Sequence, residues 1–138
     1  MEVIIETNTE RRHVKRFLFP DNSAITAGIS IRGQEDAIVI SDILNISEDG
    51  LGFSFQINPN PSLKTGDRFV IKEIKGLHTV DFLIGVEMEI KWILRYNPLR
   101  GARSGCEFAR QSEVLREKIR RFIDHQMARS LDIAGGDR

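Results

Sequence analysis

The chain has one cysteine, Cys106, in 138 residues, so no internal disulfide can hold it together. The length is enough for a single domain to bury its own core without disulfides or metal. Tryptophan and tyrosine occur once each, as Trp92 and Tyr96, and no strand interleaves aromatic with basic residues. That shortage argues against a stacked-base grip on single-stranded DNA or RNA. There is no excess of charge, since twenty basic residues balance twenty acidic ones. A whole-chain field that would draw in nucleic acid or a membrane surface is therefore missing. Long apolar runs are missing as well, none approaching the roughly 18–20 residues of a spanning helix. Met1–Glu6 lacks the cationic start of a secretory signal. These absences lead to the expectation of a soluble, cytoplasmic protein with no membrane insertion.

Catalytic signatures are equally scarce. His13, His78 and His125 are scattered, with no acidic or cysteine partner at ligand spacing, so no metal site is expected. No nucleophile elbow, phosphate-binding glycine loop or HExxH occurs. Glu48 and Asp49 are neighbours, and an acidic turn explains them better than a catalytic carboxylate pair. The expectation is no enzyme and no cofactor. Cys106, in a short apolar strand, reads as a small core residue, and Trp92, ending an apolar stripe, also reads as core.

What the chain has in quantity is period-2 alternation, which sets one face of a strand on a core and the other in water. Ile25, Ala27, Ile29 and Ile31 alternate with Thr26, Gly28, Ser30 and Arg32; Leu51, Phe53 and Phe55 alternate with Gly52, Ser54 and Gln56. The longest such run is Val80 to Trp92, read as one strand with a bend at Gly85. Ala37–Leu44 is apolar with little alternation, as expected of a well-buried strand. Arg68–Ile74 follows a turn signal at Lys64–Asp67, and Ser104–Phe108 closes the set. About six strands with short connections predict a mainly β fold, an antiparallel barrel or sandwich.

The period then changes. Leu115, Ile119, Phe122, Ile123 and Met127 recur at three- and four-residue steps, predicting an amphipathic helix over about 112–129 with Ser112 as its N-cap. Arg116 and Arg120 read as part of its solvated face. The organisation expected is an N-terminal extension (1–9), a domain over 10–130 and a frayed tail (131–138). Within the domain, an arm covers 10–19 and the β part about 23–109.

Charge distribution is more informative than its total. Arg11, Arg12, Lys15 and Arg16 fall within six residues with no acid among them, which suits a small anionic ligand. Arg12 and Arg16 form an RxxxR spacing. About thirty residues on, Asn45, Ser47 and Gly50 form an NxSxxG turn pattern. Neither is specific alone. Their order, with Glu10 and Arg11 leading in, Leu51–Phe53 following, and Gly105 and Phe108 before a helix, resembles the PilZ domain family across residues 10 to 128. One departure is Asp49, where many members carry glycine, and it bears on the shape of the turn.

The resemblance implies a six-stranded antiparallel barrel with a C-terminal helix, and a non-catalytic receptor for the bacterial second messenger cyclic di-GMP. It implies ligand-binding roles for Arg11, Arg12, Arg16, Asn45, Ser47 and Gly50. Arginine forks pair bidentately with phosphate or with the guanine O6/N7 edge and stack on base faces. Asn45 would accept from a guanine N–H, and Ser47 would bond the ligand or hold the turn. Gly50 is expected at positive φ, with its backbone close to the ligand. The arm is expected to be loosely held until ligand arrives, and Arg116 to stand apart from the site. The chain is filled by the sensor fold, so output requires an unidentified protein effector or self-association, as monomer or homodimer. The regulated process would be motility, biofilm or exopolysaccharide control. The competing expectation is a PilZ-like structural or adaptor protein that works by protein contact without nucleotide.

Overall fold

A computed structural model describes residues 15–20, 22–34, 38–55, 63–95, 101–110 and 112–136, with side chains of the last segment as far as Arg129. The strands are β1 (Arg16–Leu18), β2 (Thr26–Ile31), β3 (Ile38–Ser47), β4 (Gly50–Phe55), β5 (Arg68–Lys75), β6 (Glu87–Arg95) and β7 (Ala102–Phe108). A 3-10 turn spans His78–Leu83, and helix α1 runs Glu113–Gly136. Neighbouring strands pair antiparallel in the order β3-β2-β5-β6-β7-β4, and β4 pairs back to β3. Six strands thus close an antiparallel barrel with a C-terminal helix.

β1 is a seventh strand. It pairs with the far end of β3, Arg16 opposite Ser47 and Leu18 opposite Asn45. The arm expected to hang loose is therefore, at Arg16, part of the sheet. Phe17 is the reason: it is fully buried, edge-on to Phe19 at 5.2 Å and to Phe122 of α1 at 6.1 Å. Burying such a ring contributes about 1.5–3 kcal/mol, enough to hold a three-residue strand in place.

The alternating residues fill the barrel. Ile29, Phe53, Phe69, Ile71, Met88 and Ile90 have no more than 1% of their surface exposed. α1 adds Ile119, Phe122 and Ile123 from its apolar stripe. Ser112 caps the helix, its Oγ accepting from the Leu115 amide at 3.2 Å. The helix continues to Gly136, beyond the expected end near 129.

Two strand expectations are corrected. The run from Val80 to Trp92 is not one strand. Val80 and Leu83 are buried by the 3-10 turn, whose three-residue repeat places them on one side. Gly85, at φ 92°, then turns the chain into β6. A period-2 run and a 3-10 turn followed by a strand bury overlapping sets of residues, so alternation alone did not separate them. Nor is the start of β3 well buried: Ile38 and Ile40 are 50% and 55% exposed, because only its other face, with Ser41, points inward. Ala37 lies outside the described residues.

Candidate functional site

Two β-bulges shape one outer face of the barrel. β3 carries an extra residue, Leu44, between Ile43 and Asn45, and β6 carries Lys91 between Ile90 and Trp92. Each bulge shifts the following side chain to the opposite face of the sheet. Trp92 therefore leaves the core, where its place in the apolar alternation had put it, and is 51% exposed.

The register then lines up one cross-strand row: Leu18, Asn45, Gly52, Gly105 and Trp92, on β1, β3, β4, β7 and β6. The two glycines form its floor. A Cβ on Gly52 would overlap the Asn45 side-chain amide, and one on Gly105 would overlap the Trp92 indole. The Asn45 and Trp92 side chains therefore lie down across a side-chain-free strip, a use of in-strand glycine for close approach.

Above this strip lies a cavity of about 650 Å³, within the size range of small-molecule sites. Of the residues expected at the site, Arg16, Asn45, Ser47 and Gly50 all line it. Arg11 and Arg12 lie outside the described residues. Lys91, Trp92 and Arg103 line it too, and sequence reasoning had not placed them there. Their only signal was glycine at Gly52 and Gly105 inside strands, which marks close approach but does not say what approaches.

The turn after Asn45 is held from three sides. Ser47 is 4% exposed; its Oγ donates to the Gly50 carbonyl at 3.5 Å and accepts from the Asp49 amide at 3.3 Å. Ser47 thus secures the turn. The Phe108 amide donates to the Asp49 carbonyl at 3.0 Å, fastening the turn to β7. Gly50 is not at positive φ, correcting that expectation. Glycine is required there because a Cβ would overlap the carbonyl oxygen of Cys106 on β7.

The third side is α1. Arg120 donates to both carboxylate oxygens of Glu48, at 3.0 and 3.3 Å. Arg116 lies 3.7 Å from Glu48 and 4.0 Å from Asp49. Hydrogen bonding from Arg120, helped by both guanidinium charges, holds the Glu48 carboxyl below its ordinary value of 4.5 despite some desolvation. Arg116, expected to stand apart, touches the motif turn. Beneath the site, Cys106 is a core residue, its thiol pushed up to about 12 by burial. Among the described residues no cluster of His, Cys, Asp and Glu could hold a metal. No described helix is long and apolar enough to cross a membrane.

Residues 8–125 match the PilZ domain. The chain belongs to the PilZ domain family. Among solved structures, this PilZ protein resembles the PilZ domain with c-di-GMP of YcgR from Escherichia coli, at TM-score 0.64 and 12% identity, covering 94% of this chain and 100% of that one. It also resembles the Bacillus subtilis inhibitor of motility MotI/DgrA, at TM-score 0.51 and 18% identity, covering 86% of this chain and 52% of that one. The chain thus spans about half the length of MotI. At these identities the likeness is one of fold. Comparison with curated proteins finds no significant match.

Proposed function

We propose that this PilZ protein is a non-catalytic receptor for cyclic di-GMP that passes its state to a partner protein. The observation that carries this reading is the single cavity in which Arg16, Asn45, Ser47 and Gly50 meet Trp92 across a glycine floor. The ligand has two flat guanines and two phosphates, and Arg16, Asn45 and Trp92 in the cavity are of the kinds that recognise them. Arg16, with Arg12 and Arg11 from the preceding segment, supplies forks for phosphate or the guanine O6/N7 edge. Asn45 accepts from a guanine N–H while Ser47 keeps the turn in shape. The half-exposed indole of Trp92 gives a base a face to stack on, worth about 1–3 kcal/mol. The floor between Asn45 and Trp92 has no side chain to keep a flat base away.

The reading draws support from the YcgR domain, whose structure contains c-di-GMP, and from MotI, described as an inhibitor of motility. Control of motility is accordingly the first process to examine, ahead of biofilm or exopolysaccharide.

Trp92 is the chain's only tryptophan, so its fluorescence reports on the cavity directly. Titration with cyclic di-GMP, followed by fluorescence and calorimetry, is expected to change Trp92 emission and saturate. Cyclic di-AMP is expected to bind far more weakly, because adenine lacks the O6 acceptor and the N1–H and N2–H donors. Equal affinity for the two dinucleotides would overturn the recognition mode. No binding of either would leave the adaptor reading standing.

A further inference from the structure

A second cavity, of about 590 Å³, opens between the start of α1 and the chain entering β6. Apolar side chains line both sides of it: Phe82 and Val86 on one, Val114 and Leu115 on the other. Val114 is 68% exposed, so part of this apolar lining is open to solvent. Exposed apolar surface grouped around a groove marks an interaction site more often than scattered single residues do.

Charge decides what kind of partner fits. Arg110 and Lys118 stand at the rim, both exposed, and neither forms an ion pair with a described residue. The acid in the groove, Glu87, already receives a hydrogen bond from Arg32 at 2.7 Å. Glu117 is taken up by Arg120 and Arg121, and Glu113 lies in an adjoining hollow that it shares with Val114, Lys118 and Arg121. The groove therefore presents an apolar floor under a cationic rim.

We propose that this groove docks an acidic segment of a partner protein, one that places a hydrophobic side chain between Val86 and Val114 and carboxylates against Arg110 and Lys118. An apolar anchor with flanking charges is how short segments commonly enter such grooves. The inference rests on the reading of this protein as a relay, and it gives that relay an output surface. The groove shares no lining residue with the nucleotide cavity, so both sites can be filled together. α1 serves both: Leu115 and Lys118 line the groove, while Arg116 and Arg120 hold the turn of the nucleotide cavity.

The test uses the full chain labelled at valine, leucine and isoleucine methyls. The probes are short synthetic peptides, each with one Leu, Ile, Phe or Met anchor between glutamates, and matched peptides with lysines in place of the glutamates. At least one acidic peptide is expected to shift the methyls of Val86, Val114 and Leu115. Its lysine counterpart should bind at least tenfold more weakly, a difference of about 1.4 kcal/mol. Lys118→Glu with Arg110→Glu should reverse that preference, and Val114→Asp should abolish binding of both. Cyclic di-GMP titration of the same variants keeps the two readings apart: Val114→Asp should bind nucleotide like the parent chain and melt within a few degrees of it. No shift with any acidic peptide, equal binding of acidic and basic peptides, or shifts centred away from the groove would overturn the docking proposal. None of these outcomes bears on nucleotide binding.

Discussion

Arg120 on α1 grips Glu48 in the turn between β3 and β4 with two hydrogen bonds, at 3.0 and 3.3 Å. The two residues are 72 positions apart in sequence, and the contact connects the cavity's edge to the C-terminal helix. Together with Arg116, which approaches Glu48 and Asp49, this pair couples the turn to α1.

Removing the grip should show it. Arg120→Ala is expected to lower stability only slightly, since the pair is partly exposed and screened by solvent. Because the turn loses a support, cyclic di-GMP affinity should fall several-fold. Arg116→Ala, reaching both Glu48 and Asp49, should act in the same direction. Arg121→Ala is the control: its side chain is 81% exposed and, among the described residues, pairs only along the helix with Glu117. Denaturant titration and calorimetry read the two effects. An Arg121→Ala loss equal to that of Arg120→Ala would show that helix charge in general, not this contact, matters.

The same pair makes stability depend on acidic pH. Glu48 has a carboxyl pKa lowered in the folded protein, chiefly by Arg120. A group lowered on folding contributes its full stability above its unfolded value, 4.5, and loses it as pH falls through the folded one. Thermal stability should therefore decline more steeply below pH 4.5 in the parent protein than in Glu48→Gln. Parallel melting curves for the two from pH 6 downward would show that Glu48 gains nothing from Arg120.

The glycines separate architecture from recognition. In Gly50→Ala the new methyl would meet the backbone carbonyl of Cys106, which cannot rotate away. The fold should lose about 1–3 kcal/mol, the range for forced overpacking. In Gly105→Ala the methyl would meet the Trp92 indole, an exposed side chain able to swing aside. Stability should change little, while cyclic di-GMP affinity drops and Trp92 emission shifts without ligand. If Gly105→Ala bound nucleotide as well as the parent, the indole would have no part in recognition.

Much of this was legible in the sequence, and the limits have a physical cause. Strands such as Thr26–Ile31 and Gly50–Phe55 were visible because each buries one face, which writes period 2 into the residues. The apolar stripe and Ser112 cap of α1 were visible for a similar reason. Arg16, Asn45, Ser47 and Gly50 stood out through their spacing, and the fold brings them to one cavity. The bulges at Leu44 and Lys91 were not legible. One extra residue in a strand leaves no local signature, yet it reverses every orientation that follows, and so Trp92 was misplaced. The role of Arg120 was hidden too, because its partner Glu48 is met only after the barrel closes.

The last prediction concerns where the arm ends and the barrel begins. Arg16 had been grouped with a mobile arm, but β1 pairs it with Ser47, and the Phe19 amide donates to the Leu44 carbonyl at 2.9 Å. Phe17, buried against Phe19 and Phe122, anchors the strand from below. Amides held by such pairing open only with the surrounding sheet. Hydrogen exchange should accordingly find the Phe17 and Phe19 amides, which face β3, protected without ligand and little changed when cyclic di-GMP is added. Ligand-dependent protection should fall before Phe17, on the segment carrying Arg11 and Arg12. Within the former single strand, amides of Met88 and Ile90 should be slow, and those of the 3-10 turn His78–Leu83 faster, because short 3-10 turns have poorer hydrogen-bond geometry. Rapid exchange at the Phe17 and Phe19 amides in the free protein, slowed by nucleotide, would return β1 to the arm and make its docking part of the signal.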